Sequence, residues 1–244
     1  MPFPSAPMPP AVVLAGGLGT RLRSVVADRP KALAPVAGAP FLAHLLRQLG
    51  AAGVRDVTLA TGYGADQVEA FVDAAAPDGM RVQCVLEEEP LGTGGALALS
   101  ARSTSVDGPF LALNGDTFFG GDLSALVDGH RLSGANATLA LARVADAGRY
   151  GRVRTEGEGP TRVVGFDEKG EAAGPAWINA GVYVLTPAAL AEVAPGRAVS
   201  LERETFPRLV ERGRLAAVRF PDAPFLDIGT PDDYARAPDV LAQI

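Results

Sequence analysis

The fold is organised by the stretch Leu14-Ala15-Gly16-Gly17-Leu18-Gly19-Thr20-Arg21-Leu22, which follows an apolar run that begins at Ala11. The apolar run predicts a short buried strand, and the glycines predict a tight loop whose backbone N–H groups lie open to a ligand. Successive N–H groups form a concavity that suits phosphate oxygens. Arg21 in the loop and Lys31, which follows Pro30, would add positive charge. The stretch therefore predicts a strand and a loop that hold a polyphosphate.

The glycines alone fit a plainer interpretation equally well, a turn between a strand and a helix with Arg21 as a solvated surface charge. Two known phosphate-binding loops do not fit. A P-loop ends in Gly-Lys-Ser/Thr, whereas Gly19 is followed by Thr20 and Arg21. A dinucleotide-binding G-x-G-x-x-G/A pattern that starts at Gly17 would end in Leu22 instead of glycine or alanine. What remains is G-G-x-G-T-R-L followed by Pro-Lys, a loop of neither type.

Length and composition limit the class of protein. The chain has 244 residues, of which 48% are hydrophobic, and a net charge of −6. These values are enough for one sizeable α/β domain with a core of its own. The sequence has no apolar run near the ~18 residues of a membrane span. It also has no basic stretch, so we expect neither a membrane nor a nucleic acid as a partner.

The first ten residues and the cysteine content bear on location. Residues 1–10 are rich in proline and uncharged, and we interpret them as a flexible N-terminal arm. They lack the basic start and the long apolar centre of a signal peptide. Cys84 is the single cysteine, which excludes a disulfide framework. We therefore expect a cytoplasmic protein.

Short apolar runs alternate with segments of helical periodicity, which predicts βαβ units and a largely parallel sheet. The strands predicted in the first half are 11–15, 56–61, 81–86 and 110–113, and the helices begin near Phe41, Ala65, Gly95 and Asp122. The strands predicted in the second half are 137–144, 151–154, 162–166, 178–185, 215–220 and 225–229. Ser200 and Thr230 are the predicted N-caps of a helix over 201–211 and of a closing helix.

Two aspartates lie at or within apolar runs. Asp116 follows the run Phe110–Leu113, and Asp227 lies inside Phe225–Gly229. Ligands of parallel sheets bind beyond the carboxyl ends of the strands, and one or two carboxylates plus phosphate oxygens are enough for Mg²⁺. The alternatives are a turn-forming Asp116 and an Asp227 that is hydrogen-bonded to the helix start at Thr230. A pair of acids from two strand ends would form a minimal metal site.

Three further motifs carry polar side chains, and they are Glu87-Glu88-Glu89-Pro90-Leu91-Gly92-Thr93-Gly94-Gly95, Phe166-Asp167-Glu168-Lys169 and Asn179-Ala180-Gly181-Val182-Tyr183. By itself, the first fits an acidic loop before a helix, and the second fits a charged hairpin edge. His44 and His130 lie on helix-like stretches without metal-ligand companions, and we interpret both as structural. The sequence shows no Ser, Cys or His paired with a base as a nucleophile would be.

The pattern G-G-x-G-T-R-L with the later Pro-Lys resembles the signature of the sugar-1-phosphate nucleotidyltransferases. The other motifs follow in that family's order, and the resemblance spans Ala11 to Tyr234. It implies a three-layer α/β/α sandwich around a Rossmann-like, mixed and mostly parallel sheet. It also implies that a sugar 1-phosphate attacks the α-phosphorus of a nucleoside triphosphate and that pyrophosphate leaves. We expect one domain over 11–244, with a nucleotide-binding half at 11–135 and a sugar-binding half with a closing helix at 136–244.

The resemblance also implies the roles of individual residues. It implies that Arg21 acts on the leaving pyrophosphate, that Lys31 and Lys169 act on the reacting phosphates, and that Asp116 and Asp227 hold Mg²⁺, with Asp116 counted among the catalytic residues. The nucleotide-binding residues that it implies are Leu14, Ala15, Gly16, Gly17, Gly19, Thr20, Glu87, Gly92 and Thr93. The sugar-phosphate-binding residues that it implies are Asn114, Gly151, Glu168, Lys169, Asn179 and Thr230.

Glu87 bears on the nucleobase, because family members that read uracil or thymine commonly have glutamine at this position. A carboxylate only accepts hydrogen bonds. Guanine presents N1–H and its exocyclic amine side by side, whereas uracil and thymine present one donor between two acceptors. Glu87, with Glu88 as the second choice, therefore favours GTP over UTP or dTTP.

The identity of the sugar substrate is inferred from longer stretches of sequence. Pro30–Leu42, Gly115-Asp116-Thr117-Phe118-Phe119 and Ser200-Leu201-Glu202 are most similar to the D-glycero-α-D-manno-heptose 1-phosphate guanylyltransferases. One alternative is a mannose-1-phosphate guanylyltransferase, many of which carry a C-terminal β-helix beyond the point where this sequence ends. Another alternative is a uridylyl- or thymidylyltransferase that acts on a hexose or muramic acid 1-phosphate. A further alternative is a catalytically silent nucleotide-sugar sensor, but such proteins usually lose the arginine or lysine, and Arg21 and Lys31 are both present. The sequence leaves the oligomeric state open, with a homodimer among the options.

Overall fold

The strand before the glycine-rich loop lies third in a nine-stranded sheet. The computed structural model describes residues 7–17, 19–22, 24–148, 150–167 and 174–242. Its strands are β1 (Ala11–Leu14), β2 (Pro35–Val36), β3 (Ala39–Pro40), β4 (Asp56–Thr61), β5 (Arg81–Leu86), β6 (Phe110–Asn114), β7 (Thr117–Phe119), β8 (Ala137–Val144), β9 (Val153–Glu156), β10 (Thr161–Phe166), β11 (Ala176–Leu185), β12 (Leu215–Phe220) and β13 (Phe225–Asp227). Its helices are α1 (Phe41–Ala51), α2 (Ala65–Ala75), α3 (Gly92–Ser103), α4 (Leu123–Ser133), α5 (Phe206–Glu211) and α6 (Pro231–Leu241).

The large sheet is mixed, with the order β5-β4-β1-β6-β11-β8-β12-β10-β9. β1, β4, β5 and β6 run parallel, as the alternating sequence pattern predicts, and β12 runs parallel to β8. β11 is antiparallel to both β6 and β8, and β10 is antiparallel to both of its neighbours. Through β11, the strands of the two halves of the chain form one continuous sheet.

Helices cover both faces of this sheet because neighbouring residues of a strand point to opposite sides. Val13 of β1 packs into a core with α1, α2, α4 and α6, whereas Val12 packs into a second core with α3 and α5. The three-layer α/β/α sandwich that the resemblance implied is therefore confirmed. Within the described ranges, no helix combines the length and the apolar character that crossing a bilayer would require.

The predicted helix caps are formed by side chains. Asp122 Oδ1 accepts hydrogen bonds from the backbone N–H groups of Ser124 at 2.8 Å and Ala125 at 3.3 Å. Gly134, just past the end of α4, has φ +61°, the left-handed conformation that glycine adopts without strain. Thr230 caps α6 by accepting from the N–H of Asp233 at 3.3 Å. Local sequence signals were sufficient at these positions because each cap involves residues close in the chain.

The start of α3 differs from the prediction. The helix begins at Gly92 rather than near Gly95, although glycine is a poor helix former. Its first turn is held by another part of the chain, because the N–H of Gly94 donates to the carbonyl of Val199 at 2.8 Å. The N–H of Val199 in turn donates to the carbonyl of Leu91 at 2.8 Å. These long-range bonds compensate for the weak local preference.

The predicted helix over 201–211 consists of two parts. A π-helical turn, Leu201–Thr205, leads into α5. Ser200 caps the turn as predicted, since its hydroxyl accepts from the N–H of Arg203 at 3.2 Å. Such wide turns are rare and occur frequently at functional sites.

Replacing the N-cap of α4 gives a direct test of the local stability argument. We expect Asp122→Ala to lower the free energy of unfolding by about 1 kcal/mol, because two N–H groups lose their acceptor. Urea denaturation would measure the difference. Asp128→Ala on the same helix is the matched control, since this residue is exposed and forms an ion pair with Arg131 at 3.0 Å. We expect that variant to change stability by less than about 0.5 kcal/mol, and equal losses in both would contradict the capping argument.

Candidate active site

A cavity of about 750 Å³ opens at the carboxyl ends of the four parallel strands. Leu14 at the end of β1 and Asn114 at the end of β6 line it, together with Gly62 after β4 and Glu87 after β5. All nine predicted nucleotide-binding residues line this cavity, and so do the three predicted catalytic residues Arg21, Lys31 and Asp116. The structure therefore brings the predicted nucleotide-binding and catalytic residues together at the edge where parallel sheets bind ligands.

The glycine-rich loop is shaped by close contacts on two sides. A Cβ on Gly16 would lie 2.9 Å from Glu87 Oε1, so only a residue without a side chain lets the carboxylate approach the loop backbone here. Gly19 has φ +58°, and a Cβ there would lie 3.2 Å from the Cβ of Lys31. The loop thus packs against the acidic motif on one side and the Pro-Lys motif on the other.

Lys31 connects the two predicted metal ligands. Its Nζ lies 2.6 Å from Asp116 Oδ2 and 3.8 Å from Asp227 Oδ1, and its side chain is only 10% exposed. Asp116 and Asp227 are brought together by the pairing of β7 with β13, in which Asp227 lies opposite Thr117. The N–H of Ile228 also donates to the carbonyl of Asp116 at 2.9 Å. β7 was not predicted from the sequence, so the strand that positions this pair was missed.

Asp227 lies in an unfavourable place for a carboxylate. Burial raises its pKa above the usual value, and the nearby charge of Asp116 raises it further, while Lys31 and Arg21 act in the opposite direction. The N–H of Gly229 donates to Asp227 Oδ1 at 2.6 Å. The two carboxylates therefore repel each other, and cations stabilise the pair.

The two carboxylates fit one kind of metal ion. The described residues contain no group of three or more His, Cys, Asp or Glu that could hold a metal. Mg²⁺ does not need such a group, because it keeps several waters and takes one or two carboxylates together with substrate phosphates. Asp116 and Asp227 satisfy this requirement, whereas an ion that prefers an all-protein cage would find too few ligands here.

Glu87 occupies a partly desolvated position on the other side of the loop. Its Oε2 accepts from the N–H of Leu91 at 3.2 Å, and burial raises its pKa. Glu88, the second candidate for the same role, is exposed but also lines the cavity. Tyr63 and Leu86 form an apolar border beside them, both with exposed surface. Tyr63 was not among the predicted residues, although its place just after β4 follows from the strand-end rule.

The predicted sugar-side residues are distributed differently. Asn114 lines the cavity, and Gly151, Asn179 and Thr230 do not. Asn179 donates from Nδ2 to the Tyr183 hydroxyl at 2.9 Å and accepts from the N–H of a neighbouring glycine at 2.9 Å, so both ends of its amide have protein partners. Thr230 acts as the α6 cap described above. The predicted sugar contacts of Glu168 and Lys169 lie outside the described residues.

Comparison with known proteins assigns the class. A family model described as "Nucleotidyl transferase" matches residues 10–243, and the chain belongs to this family. A mannose-1-phosphate guanylyltransferase of Mycobacterium tuberculosis is 43% identical over 227 residues, which are 93% of this chain and 62% of that protein. The chain therefore spans less than two thirds of the length of that relative.

Two further relatives match over nearly their whole length. A D-glycero-alpha-D-manno-heptose 1-phosphate guanylyltransferase of Aneurinibacillus thermoaerophilus is 36% identical over 227 residues, which are 93% of this chain and 96% of that protein. The crystal structure of HddC from Yersinia pseudotuberculosis complexed with GMP-PN superposes with a TM-score of 0.80 at 32% identity. That alignment covers 96% of this chain and all of HddC.

The raised pKa of Asp227 predicts that this residue costs stability at neutral pH. A buried acid with a raised pKa binds its proton more tightly in the folded state, so folding becomes less favourable as the pH rises through that pKa. We expect Asp227→Asn to raise the melting temperature at pH 8 and to give a smaller gain at pH 4, because the wild-type carboxyl takes up its proton more readily as the pH falls. Thermal denaturation at both pH values measures this, with the exposed Asp222→Asn as the control. An equal gain at both pH values would contradict the argument.

Proposed function

We propose that this chain catalyses the transfer of a guanylyl group from GTP to a sugar 1-phosphate, with release of pyrophosphate. The observation that carries the proposal is the position of a partly buried carboxylate, Glu87, directly against the backbone of the glycine-rich loop at Gly16. The same cavity holds Arg21, Lys31 and Asp116. A base-reading acceptor and a set of phosphate-binding cations thus lie on opposite sides of one loop.

The reaction needs positioning and charge stabilisation more than proton transfer. An ionised oxygen of the sugar 1-phosphate forms a bond to the α-phosphorus of GTP, and the bond from that phosphorus to the bridging oxygen breaks. Negative charge collects on the departing pyrophosphate, where the loop N–H groups and Arg21 stabilise it. Lys31 stabilises the reacting phosphates. Asp116 and Asp227 would hold Mg²⁺, which supplies further positive charge to the phosphate oxygens when it is bound.

Glu87 supports guanine as the base. Its carboxylate can accept from N1–H and the exocyclic amine of guanine together, whereas uracil or thymine would place two acceptors against it. The names of the guanylyltransferase relatives agree with this choice. A silent sensor of the same fold is not favoured, because Arg21, Lys31, Asp116 and Asp227 all stand at the cavity or in contact with it.

For the sugar, we favour D-glycero-α-D-manno-heptose 1-phosphate, because the relative with that activity in its name matches over 96% of its own length. Mannose 1-phosphate is the second candidate, which the 43% identity to the mycobacterial protein favours. The cytoplasmic location and the homodimer remain predictions from the sequence.

A matrix of nucleotides and sugar 1-phosphates tests this proposal. Purified protein with Mg²⁺ should release pyrophosphate fastest with GTP and a manno-configured 1-phosphate, and addition of EDTA should stop the release. Faster turnover with UTP or dTTP would overturn the choice of base. No pyrophosphate release with any combination would overturn the proposed reaction.

The role of Glu87 has its own test. Glu87→Gln keeps the shape of the side chain but presents an amide donor beside the base. Because hydrogen bonds to charged groups contribute about 1.5–3 kcal/mol, we expect kcat/KM for GTP to fall roughly 10- to 100-fold. Steady-state kinetics measures this, with Glu89→Gln as the matched control, since Glu89 is exposed and follows the same strand. Equal losses in the two variants would contradict base reading by Glu87.

A further inference from the structure

The hydroxyl group of Tyr234 joins the last helix, α6, to the segment of chain that carries Lys31. It donates to the backbone carbonyl of Pro35 at 2.5 Å, between residues that are 199 positions apart in the sequence. This distance lies at the short end of the range for a hydroxyl donor. The ring of Tyr234 is partly buried and packs against the same core as α1 and α4. The packing of the ring therefore holds the hydroxyl within reach of this carbonyl.

Pro35 comes shortly after the turn in which Lys31 lies. The turn is a 3₁₀ turn, Lys31–Leu33, and the N–H of Ala34 donates to the carbonyl of Lys31 at 3.0 Å. Pro30 and Pro35 lie on either side of it, and the ring of a proline fixes the backbone angle φ. A stiff segment thus links the carbonyl that Tyr234 binds to the residue that carries the ammonium group.

The segment that leads into α6 contacts Lys31 at a second point. This segment contains Asp227, whose Oδ1 lies 3.8 Å from Lys31 Nζ. Thr230 then caps the helix, and the N–H of Tyr234 donates to the carbonyl of Thr230 at 2.9 Å. The chain from Asp227 to Tyr234 is therefore a fixed corner. It holds the Lys31 segment both at the ammonium group and at the backbone behind it.

The hairpin of β2 and β3 has another attachment, which does not involve α6. His44 of α1 has its Nε2 at 2.9 Å from the carbonyl of Val36, the residue after Pro35. Nη1 of Arg47 lies 3.3 Å from the other ring nitrogen. Because an arginine only donates, that nitrogen accepts and Nε2 carries the proton for the carbonyl. Loss of the Tyr234 hydroxyl would leave the hairpin attached to α1 and release it from α6.

The position of Lys31 decides where its charge acts. Its Nζ lies 2.6 Å from Asp116 Oδ2, and its side chain lines the cavity. A displacement of about 1 Å near the reacting groups can cost on the order of 100-fold in rate. We propose that Tyr234 is a positioning residue, whose hydroxyl fixes the turn behind Lys31 so that the ammonium group stays directed at the reacting phosphates. This inference rests on the proposed guanylyltransferase function.

Acylation of lysine tests the position of the Lys31 amine without any substrate. Lys31 and Lys169 are the two lysines of the chain, so an amine-acylating reagent followed by mass spectrometry compares them in one sample. A largely buried, ion-paired amine reacts slowly, because the reagent needs an accessible and uncharged nitrogen. Tyr234→Phe keeps the ring and removes the hydroxyl, and we expect it to raise the labelling rate of Lys31 relative to Lys169 several-fold. Asp239→Asn, at an exposed position of the same helix, is the control and should leave this ratio unchanged.

Kinetics separates positioning of Lys31 from a general structural effect. We expect Tyr234→Phe to lower kcat on the order of tenfold and to leave KM for GTP and the melting temperature near the wild-type values, because the loss falls on the transition state. In a Lys31→Met background the same change should have no further effect, since the group that it positions is gone. In a Glu87→Gln background it should lower kcat by the wild-type factor, because Glu87 lies on the other side of the glycine-rich loop.

An unchanged labelling ratio in Tyr234→Phe would overturn the inference. An equal loss of kcat in the wild-type, Lys31→Met and Glu87→Gln backgrounds would also overturn it, because a role that acts through Lys31 cannot persist without Lys31. If Lys31→Met fails to fold, the labelling ratio decides by itself.

Failure of the proposed function gives a different result. If the wild-type protein turns over no pair of nucleotide and sugar 1-phosphate, the proposed reaction is wrong, whereas the labelling ratio still shows whether Tyr234 holds Lys31. If the wild-type protein is active and Tyr234→Phe behaves like Asp239→Asn in both experiments, only the assignment of Tyr234 is wrong.

Discussion

The ion pair of Lys31 with Asp116 is the interaction on which the rest of the site depends. Its 2.6 Å distance and the low exposure of Lys31 place an ammonium group between two carboxylates in a partly dry position. Such a cluster holds together only if opposite charges alternate, because two adjacent carboxylates without a cation would repel each other. Through Gly19, which packs on the stem of Lys31, the same side chain also shapes the glycine-rich loop that lines the cavity.

Charge is concentrated rather than abundant in this protein. The chain carries a net charge of −6, yet Arg21 and Lys31 lie together at one edge of the sheet. Parallel strands make this arrangement possible, because their carboxyl ends meet at the same edge and bring their loops into one cavity. The acidic side chains then occupy two separate places, one around Lys31 and one at Glu87. The proposed guanylyl transfer requires this separation, since it would place a polyphosphate and a purine side by side.

Much of the fold could be predicted because the relevant signals are local. The apolar run at β1, the cap at Asp122 and the glycine after α4 each depend on residues a few positions away. The predictions failed where distant segments decide. α3 starts at Gly92 because Val199 holds its first turn, and β7 exists because β13 pairs with it. Local sequence patterns do not indicate either contact, because Val199 and β13 each lie about a hundred residues away in the chain from the segments that they hold.

The sequence by itself determined which reactive groups the protein carries: a glycine-rich loop with Arg21, a nearby Lys31, two acids in apolar surroundings, and a carboxylate at position 87. The order of the longer strands and helices followed from hydrophobic periodicity, which depends only on neighbouring residues, whereas the short strands β2, β3 and β7 were not predicted. Only the tertiary structure decided which groups meet. It placed Lys31 between Asp116 and Asp227 and set Tyr234 against Pro35. Such contacts depend on the packing of the whole sheet and on pairings between distant segments, which local sequence patterns do not encode.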